Sequence, residues 1–84
     1  PAMLDDLGLG PALRSHAREF TRRTGLPVDV RVEGDLDVVP EPQRTCIYRI
    51  VQEALNNCGR HAKATKASIN LDERDDLVSV AIQD

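Results

Sequence analysis

Residues 42–62 read PQRTCIYRIVQEALNNCGRHA, and the spacing of their apolar side chains decides the fold. Apolar residues recur here at about 100° per residue, which is the period of an α-helix. This spacing predicts one long helix beginning near Glu41, because the prolines on either side of that residue favour a helix start. We expect its buried face to be Ile47, Ile50, Val51, Ala54, Leu55, Cys58 and Ala62.

A polar stripe borders that buried face. Glu53, Asn57 and Arg60 fall on it together, with His61 at the edge, because residues three and four apart project to the same side of a helix. Such a row could hold a hydrated metal ion and the phosphates that it neutralises. Polar residues beside a buried face are also typical of a plain boundary between core and water. Other residues are expected to point roughly the other way: Arg49, Gln52, Asn56 and Gly59.

The composition indicates one small domain. The chain has 84 residues, a net charge of −3 and 40% hydrophobic residues, and its aromatic residues are Phe20 and Tyr48. A domain of this size buries only about 60% of its unfolded surface, so we expect marginal stability. No apolar run approaches the length of a membrane span and no signal peptide is recognisable. We therefore expect a cytoplasmic domain, whose parent protein could still be anchored in the inner membrane.

Residues 11–24, PALRSHAREFTRRT, predict a second helix. Gly10 and Pro11 should open it and Gly25 should end it, because proline suits the first helical position and glycine the position after the last turn. We expect the buried side chains of this helix to be Leu13, Ala17 and Phe20. Residues 1–9 are expected to be a connector and not a free helix.

Basic residues on the second helix raise the alternative of a nucleic-acid site. They are Arg14, His16, Arg18, Arg22 and Arg23. The chain is acidic overall and has no interleaved aromatic residues on which bases could stack, so we expect no nucleic-acid partner. A solvated helix face is the interpretation that the composition favours.

Three segments have the pattern of β-strands. VDVRVEG from Val28 alternates apolar and polar residues, KASINLDE from Lys66 does the same, and LVSVAIQ from Leu77 is a more apolar run. Residues 74–76 should form the turn of a hairpin between the last two strands. The resulting order of helix, strand, long helix, strand and strand predicts an α/β (α+β) two-layer sandwich.

Cys46 and Cys58 lie twelve residues apart in the predicted long helix. At a rise of about 1.5 Å per residue their Cα atoms would be roughly 18 Å apart, too far for a disulfide. We expect both to be small apolar core residues in a reducing cytoplasm and not metal ligands.

The segment QEALNNCGRHAKA, Gln52 to Ala64, closely resembles the N-box of the ATP-binding domain of sensor histidine kinases, within the GHKL ATPase superfamily. YRIVQEALNNCGRHA is most similar to the class related to nitrate and nitrite sensors, and LDDLGLGPALR and VSVAIQD also fit that class. The resemblance implies a truncated histidine-kinase-type ATPase fold, with helices packed on one face of a mixed β-sheet. Residues 1–9 would be a connector from the dimerisation region, and residues 10–84 the N-terminal part of the ATP-binding domain.

The resemblance also implies catalytic and metal-binding roles for two residues. Glu53 would be a general base that orients or deprotonates a nucleophile or a metal-bound water. Asn57 would bind ATP by ligating Mg²⁺ through its carboxamide oxygen, a hard ligand of the kind that Mg²⁺ prefers.

Four further residues would bind the nucleotide. Arg60 and His61, with Lys63 as a weaker candidate, would offset the charge of the triphosphate. Asp84 would be the first residue of a DxGxG box and would accept a hydrogen bond from the exocyclic amine of adenine. His61 is not expected to be the phosphorylated histidine, which in this family lies on a separate dimerisation helix.

The function implied by the resemblance belongs to a longer parent protein. It would bind Mg-ATP, autophosphorylate a histidine in the dimerisation domain of its homodimer, and serve phosphotransfer to a response regulator in two-component signalling. The alternative is a non-catalytic ATPase-like interaction module or an anti-sigma-type switch. Glu53 together with Asn57 favours the kinase, because a degenerate site has no reason to keep both.

The resemblance predicts glycine boxes and a flexible lid beyond Asp84. Without them, we expect residues 1–84 to be inactive alone and to bind ATP weakly or not at all, because most of the buried ligand surface would be missing. The strand from Leu77 to Gln83 would then expose an edge, so self-association of this fragment by strand pairing is expected.

Overall fold

The computed structural model describes residues 2–60, 65–74 and 77–83. Helices and strands follow one another in the predicted order, with an additional helix at the start. The elements are α1 (Ala2–Leu7), α2 (Leu9–Thr24), β1 (Val28–Glu33), a short 3₁₀ helix (Leu36–Val38), α3 (Glu41–Arg60), β2 (Ala67–Arg74) and β3 (Leu77–Gln83). None of the helices in these ranges is long and apolar enough to cross a bilayer.

The three strands form a mixed sheet in the order β1-β2-β3. β1 runs parallel to β2, with Val28 opposite Ala67, and β2 runs antiparallel to β3, with Ile69 opposite Ile82. A parallel pair needs a long crossover connection, and α3 lies in the connection between β1 and β2. The predicted mixed sheet is therefore confirmed for the strands that the structure describes.

The core lies between this sheet and the helices. Ala67, Ile69 and Leu71 alternate along β2 and are fully buried, while the valines of β1 are half-buried on the same side. Leu13 and Phe20 from α2 pack into the same cluster as Val51 and Leu55 from α3. Both helices thus cover one face of the sheet, and the predicted α/β two-layer arrangement is confirmed.

Residues 2–9 contain helical structure that the sequence did not predict. Residues 2–7 form helix α1, whose Leu4 is buried in the core. Gly8 has a φ of +92°, and its N–H donates to the Leu4 carbonyl oxygen at 3.1 Å. This left-handed residue allows α2 to begin at Leu9, two residues earlier than predicted, and Leu9 is buried as well. Leu4 and Leu9, which were not predicted to be core residues, therefore belong to the core.

The buried face of α3 is rotated relative to the prediction. Its buried residues are Ile47, Tyr48, Val51, Leu55 and Cys58. Ile50 was predicted to be buried but is 49% exposed, Ala54 is only half-buried, and Cys46 is exposed instead of lying in the core. Ala62 lies outside the described residues. Tyr48 is buried because α2 covers that side of α3.

His16 lies at the contact between α2 and α3. Its ring meets the ring of Tyr48 edge-on, with centroids 5.8 Å apart, and its Nε2 is buried without a hydrogen-bond partner among the described residues. The solvated position expected for His16 is therefore wrong. Burial, followed by the positive charge of Arg23, lowers the pKa of His16. The arginines of α2 are exposed as expected: Arg14, Arg18, Arg22 and Arg23.

We expect His16 to destabilise the domain in mild acid. Its pKa is lower in the folded state than the ordinary value of 6.5, so the unfolded chain binds the proton preferentially once the pH falls through that value. The free energy of unfolding should consequently be smaller at about pH 5.5 than at about pH 7.5, which urea unfolding at both values measures. His16→Gln should reduce this difference. An unchanged difference in His16→Gln would assign the pH dependence to other groups.

Two left-handed glycines differ in the space around them. Gly25 ends α2 as predicted, with a φ of +78°, and a Cβ atom there would meet no atom of a described residue within 4 Å. Gly34 follows β1 with a φ of +88°, and a Cβ atom there would collide with the carbonyl oxygen of Glu73 in β2. Gly34 therefore permits both the turn and the close approach of two backbones.

Gly34→Ala should cost more stability than Gly25→Ala. Both changes force alanine into a left-handed conformation, at about 1–2 kcal/mol each. Gly34→Ala adds a collision with the backbone of Glu73, which cannot change rotamer as a side chain can. We therefore expect a total loss of about 2–5 kcal/mol in the free energy of unfolding. Urea unfolding of the two variants measures the difference. Equal losses would mean that β1 and β2 are not so closely opposed at Gly34.

Candidate functional site

Three of the predicted site residues lie together on the second half of α3. Glu53, Asn57 and Arg60 are exposed, because α3 buries its opposite side against the sheet and α2. Residues four apart on a helix are neighbours on its surface, which places Glu53 one turn before Asn57. The predicted grouping of these three side chains on one polar surface of α3 agrees with the structure.

The polar groups of this surface have few partners among the residues that the structure describes. Arg60 Nη1 donates a hydrogen bond to Asn57 Oδ1 at 3.4 Å, a long contact between exposed side chains. Glu53 makes no hydrogen bond or ion pair with any other described residue. Its carboxylate and the weakly held Asn57 carboxamide are therefore available to a ligand, at little cost in lost contacts.

A shallow cavity of about 550 Å³ opens beside Glu53. The residues that line it are Tyr48, Arg49, Gln52, Glu53 and Asn56. Three of these residues, Arg49, Gln52 and Asn56, were expected to point away from the side of Glu53. That expectation is wrong, since the structure places all three around the same cavity as Glu53. Arg49 adds a positive charge to a site where only Arg60, His61 and Lys63 were expected to supply one.

Gly59 was also expected to point away from the side of Glu53. A Cβ atom at this position would instead lie 3.2 Å from Cε1 of Phe20, so α3 and α2 pack closely here. Phe20 is itself fully buried. Gly59 therefore has a packing role, and it allows the end of α3 that carries Asn57 to rest against α2.

The three polar residues missed as cavity lining, Arg49, Gln52 and Asn56, could have been found from the helix period. Arg49 and Glu53 are four residues apart and so differ by only about 40° around the helix axis, and Asn56 differs from Glu53 by about 60°. The polar side of α3 is thus one continuous arc. The two stripes predicted from the sequence are parts of this one arc, since no apolar residue separates them.

The chemistry of the donor atoms is compatible with a magnesium ion. Within residues 4–60 and 65–74, no group of three or more histidine, cysteine, aspartate or glutamate side chains is placed to hold a metal. Mg²⁺ does not need such a cage, because it usually keeps several waters and takes one or two protein oxygens together with substrate phosphates. The exposed Asn57 carboxamide oxygen and the nearby Glu53 carboxylate fit that requirement. His61, Lys63 and Asp84 lie outside the described residues.

Comparison with known proteins gives consistent relatives, although no family model matches the chain. It is 38% identical over 81 residues to the signal transduction histidine-protein kinase/phosphatase DegS of Brevibacillus brevis, covering 96% of this chain and 21% of that protein. It is 41% identical over 71 residues to the sensor histidine kinase MctS of Rhizobium johnstonii, covering 84% of this chain and 15% of that protein.

A third relative is itself a nitrate/nitrite sensor. The nitrate/nitrite sensor protein NarX of Escherichia coli is 30% identical over 81 residues, covering 96% of this chain and 14% of that protein. The chain therefore spans between about one seventh and one fifth of the length of these curated relatives. Each similarity extends over 84–96% of the chain.

Proposed function

We infer that this chain is part of a sensor histidine kinase, and we propose that it contributes the magnesium and phosphate side of the ATP site in that protein. Similarity to sensor histidine kinases over 84–96% of the chain supports the kinase. The observation that carries the ATP site is the placement of Glu53 and Asn57. They lie one turn apart on an exposed polar surface, within a segment that resembles an N-box.

In this proposal Asn57 holds Mg²⁺ through its carboxamide oxygen, after giving up the long hydrogen bond from Arg60. Arg60 lies about one helical turn after Asn57, and its guanidinium is then free to donate hydrogen bonds to phosphate oxygens. His61 and Lys63 follow in sequence and would offset the charge of the triphosphate, and Asp84 would recognise adenine. Bound Mg²⁺ would neutralise part of the negative charge of the triphosphate. That charge would otherwise repel the attacking nucleophile.

Glu53 serves as the general base. A carboxylate four residues before the magnesium ligand lies within one turn of it on the same surface, and it is not occupied by an ion pair with a described residue. It can therefore orient the imidazole of the phosphoacceptor histidine or accept its proton. The acceptor histidine would come from the dimerisation domain of the homodimer, and a response regulator would receive the phosphoryl group afterwards.

Glu53→Gln tests the role of Glu53 in the full-length kinase. This change keeps the size of the side chain and removes its charge, so the autophosphorylation rate at saturating ATP should fall about 10²- to 10⁴-fold, the usual contribution of a general base. Affinity for ATP should change little. Single-turnover phosphorylation and equilibrium nucleotide binding measure the two quantities separately.

A matched control for this experiment is Glu41→Gln. Glu41 is an exposed glutamate in the first turn of the same helix, so the change removes the same charge far from the site. Its effect on the rate should be small. A loss of affinity without a loss of rate in Glu53→Gln would make Glu53 a binding residue. Normal rates and normal affinity in that variant would show that Glu53 is neither the general base nor a binding residue.

A further inference from the structure

A second concave surface lies between α2 and β1 and shares no residue with the cavity beside Glu53. It has a volume of about 460 Å³. Its apolar lining includes Ala17 of α2 and the half-buried Val28 and Val30 of β1. Arg14 and Arg18, one turn apart on α2, stand along its rim. We call this surface the α2–β1 groove.

The two arginines of the groove have no carboxylate partner among the described residues. Both side chains are exposed, and neither appears in an ion pair there. Further along the same helix, Arg22 is paired with Glu19. The groove therefore presents two uncompensated positive charges beside an apolar floor, and an apolar and acidic ligand complements that pattern.

The outer edge of β1 offers backbone hydrogen-bonding groups beside the groove. Ala67 N–H donates to the carbonyl oxygen of Pro27, which fixes the phase of the parallel β1–β2 ladder. In a parallel ladder every second residue directs both its N–H and its C=O groups to the same neighbouring strand. The backbone groups of Asp29, Arg31 and Glu33 therefore bond to β2. The N–H and C=O groups of Val28, Val30 and Val32 then point away from β2. No described strand pairs with that edge.

We propose that the α2–β1 groove binds an extended segment of a partner protein, which adds to the sheet as a further strand beside β1. The segment carries apolar side chains that contact Val28 and Val30, and acidic side chains that reach Arg14 and Arg18. Backbone pairing with an unprotected strand edge supplies affinity in this mode, and side chains on alternate positions supply specificity. This site is independent of the proposed ATP site.

A second copy of the chain fits this edge less well than an acidic segment. Two β1 strands paired edge to edge would place two α2 helices on the same face of the joined sheet. Arg14 and Arg18 of both copies would then face one another, and the carboxylate of Glu19 is already engaged by Arg22. Like charges brought together across an interface disfavour that arrangement.

The test uses the purified chain and a fluorescent peptide of about eight residues, the length of a typical strand. One face of the peptide carries threonine, and the other alternates valine with glutamate. A second peptide replaces glutamate with lysine. We expect the glutamate peptide to bind and to slow amide hydrogen exchange at Val28, Val30 and Val32. The lysine peptide should bind at least about 10-fold more weakly.

Two double variants with the same change in charge locate the binding site. Arg14→Gln/Arg18→Gln should weaken binding of the glutamate peptide about 2- to 30-fold, as expected for two exposed ion pairs. Arg22→Gln/Arg23→Gln changes the same helix outside the groove and should leave the affinity within about 2-fold. Equal effects of the two double variants, equal binding of the two peptides, or absence of amide protection in β1 would each overturn the proposal. Light scattering that rises with protein concentration, together with slow amide exchange in β1 without peptide, would show that the β1 edge serves self-association instead.

Discussion

Replacing Asn57 with alanine in the full-length kinase should reduce the rate of autophosphorylation at least about 100-fold, the scale of loss when one transition-state ligand is removed. Asn57 would hold the magnesium ion that positions the transferred phosphoryl group, and alanine has no oxygen to replace it. The fold should be retained, because Asn57 is exposed and its one hydrogen bond among the described residues is the 3.4 Å contact with Arg60. Initial rates of phosphohistidine formation and a thermal melt measure both effects.

Asn56→Ala is the matched control for this prediction. It removes the same carboxamide from the adjacent residue, which lines the cavity beside Glu53. The loss of rate in Asn56→Ala should be much smaller than in Asn57→Ala, because Asn56 is not the proposed magnesium ligand. Near-normal activity of Asn57→Ala, or the same loss in both variants, would contradict the assignment of Asn57.

Leu55→Ala should be the most damaging single change to the core among the α3 leucine and isoleucine positions. Leu55 is fully buried between the sheet and the helices, and truncating such a side chain costs about 2–5 kcal/mol. Small domains have total stabilities near the lower end of about 5–15 kcal/mol, so much of the chain would be unfolded. Urea unfolding followed by circular dichroism gives the free energy difference.

Ile50→Ala provides the comparison within the same helix. Ile50 has a side chain of the same size but is 49% exposed, so its truncation should cost less than about 1 kcal/mol. The two variants thereby test the rotated buried face of α3 directly. Equal losses at both positions would restore the face predicted from periodicity, on which Ile50 and Leu55 are both buried.

Local patterns were sufficient to predict α2, α3 and the three strands. The strict alternation of VDVRVE appears as alternate half-buried and exposed residues along β1. Gly25 adopts the left-handed conformation that its place after α2 predicts. These predictions succeed because strand alternation and helix termination depend on neighbouring residues and on backbone sterics, both of which are present in the sequence.

The burial of particular side chains depended on contacts that periodicity does not specify. A helix period gives angles around the axis, but the width and direction of the buried arc depend on what packs against it. His16 and Phe20 from α2 cover the side of α3 that includes Tyr48 and Gly59, whereas nothing described covers Ile50. Helix α1 was missed for a similar reason, because its stability comes from burying Leu4 and not from a long amphipathic pattern.

The candidate site could be predicted in part. Once the helix is assigned, the four-residue spacing of Glu53 and Asn57 places them on one surface. Both residues lie in α3 and are exposed. The cavity that adds Arg49 and Gln52 depends on the shape around the helix, which spacing alone does not supply. The roles of all these residues remain predictions.

The central claim is that the polar surface of α3 binds ATP through magnesium held by Asn57. Isothermal titration of the full-length protein with ATP, in Mg²⁺ and in EDTA, tests it most directly. We predict Mg²⁺-dependent binding by the unaltered protein, loss of the magnesium-dependent part in Asn57→Ala, and no change in Arg14→Gln on the remote α2–β1 groove. Binding by Asn57→Ala with unaltered affinity and unaltered dependence on Mg²⁺ would contradict the claim.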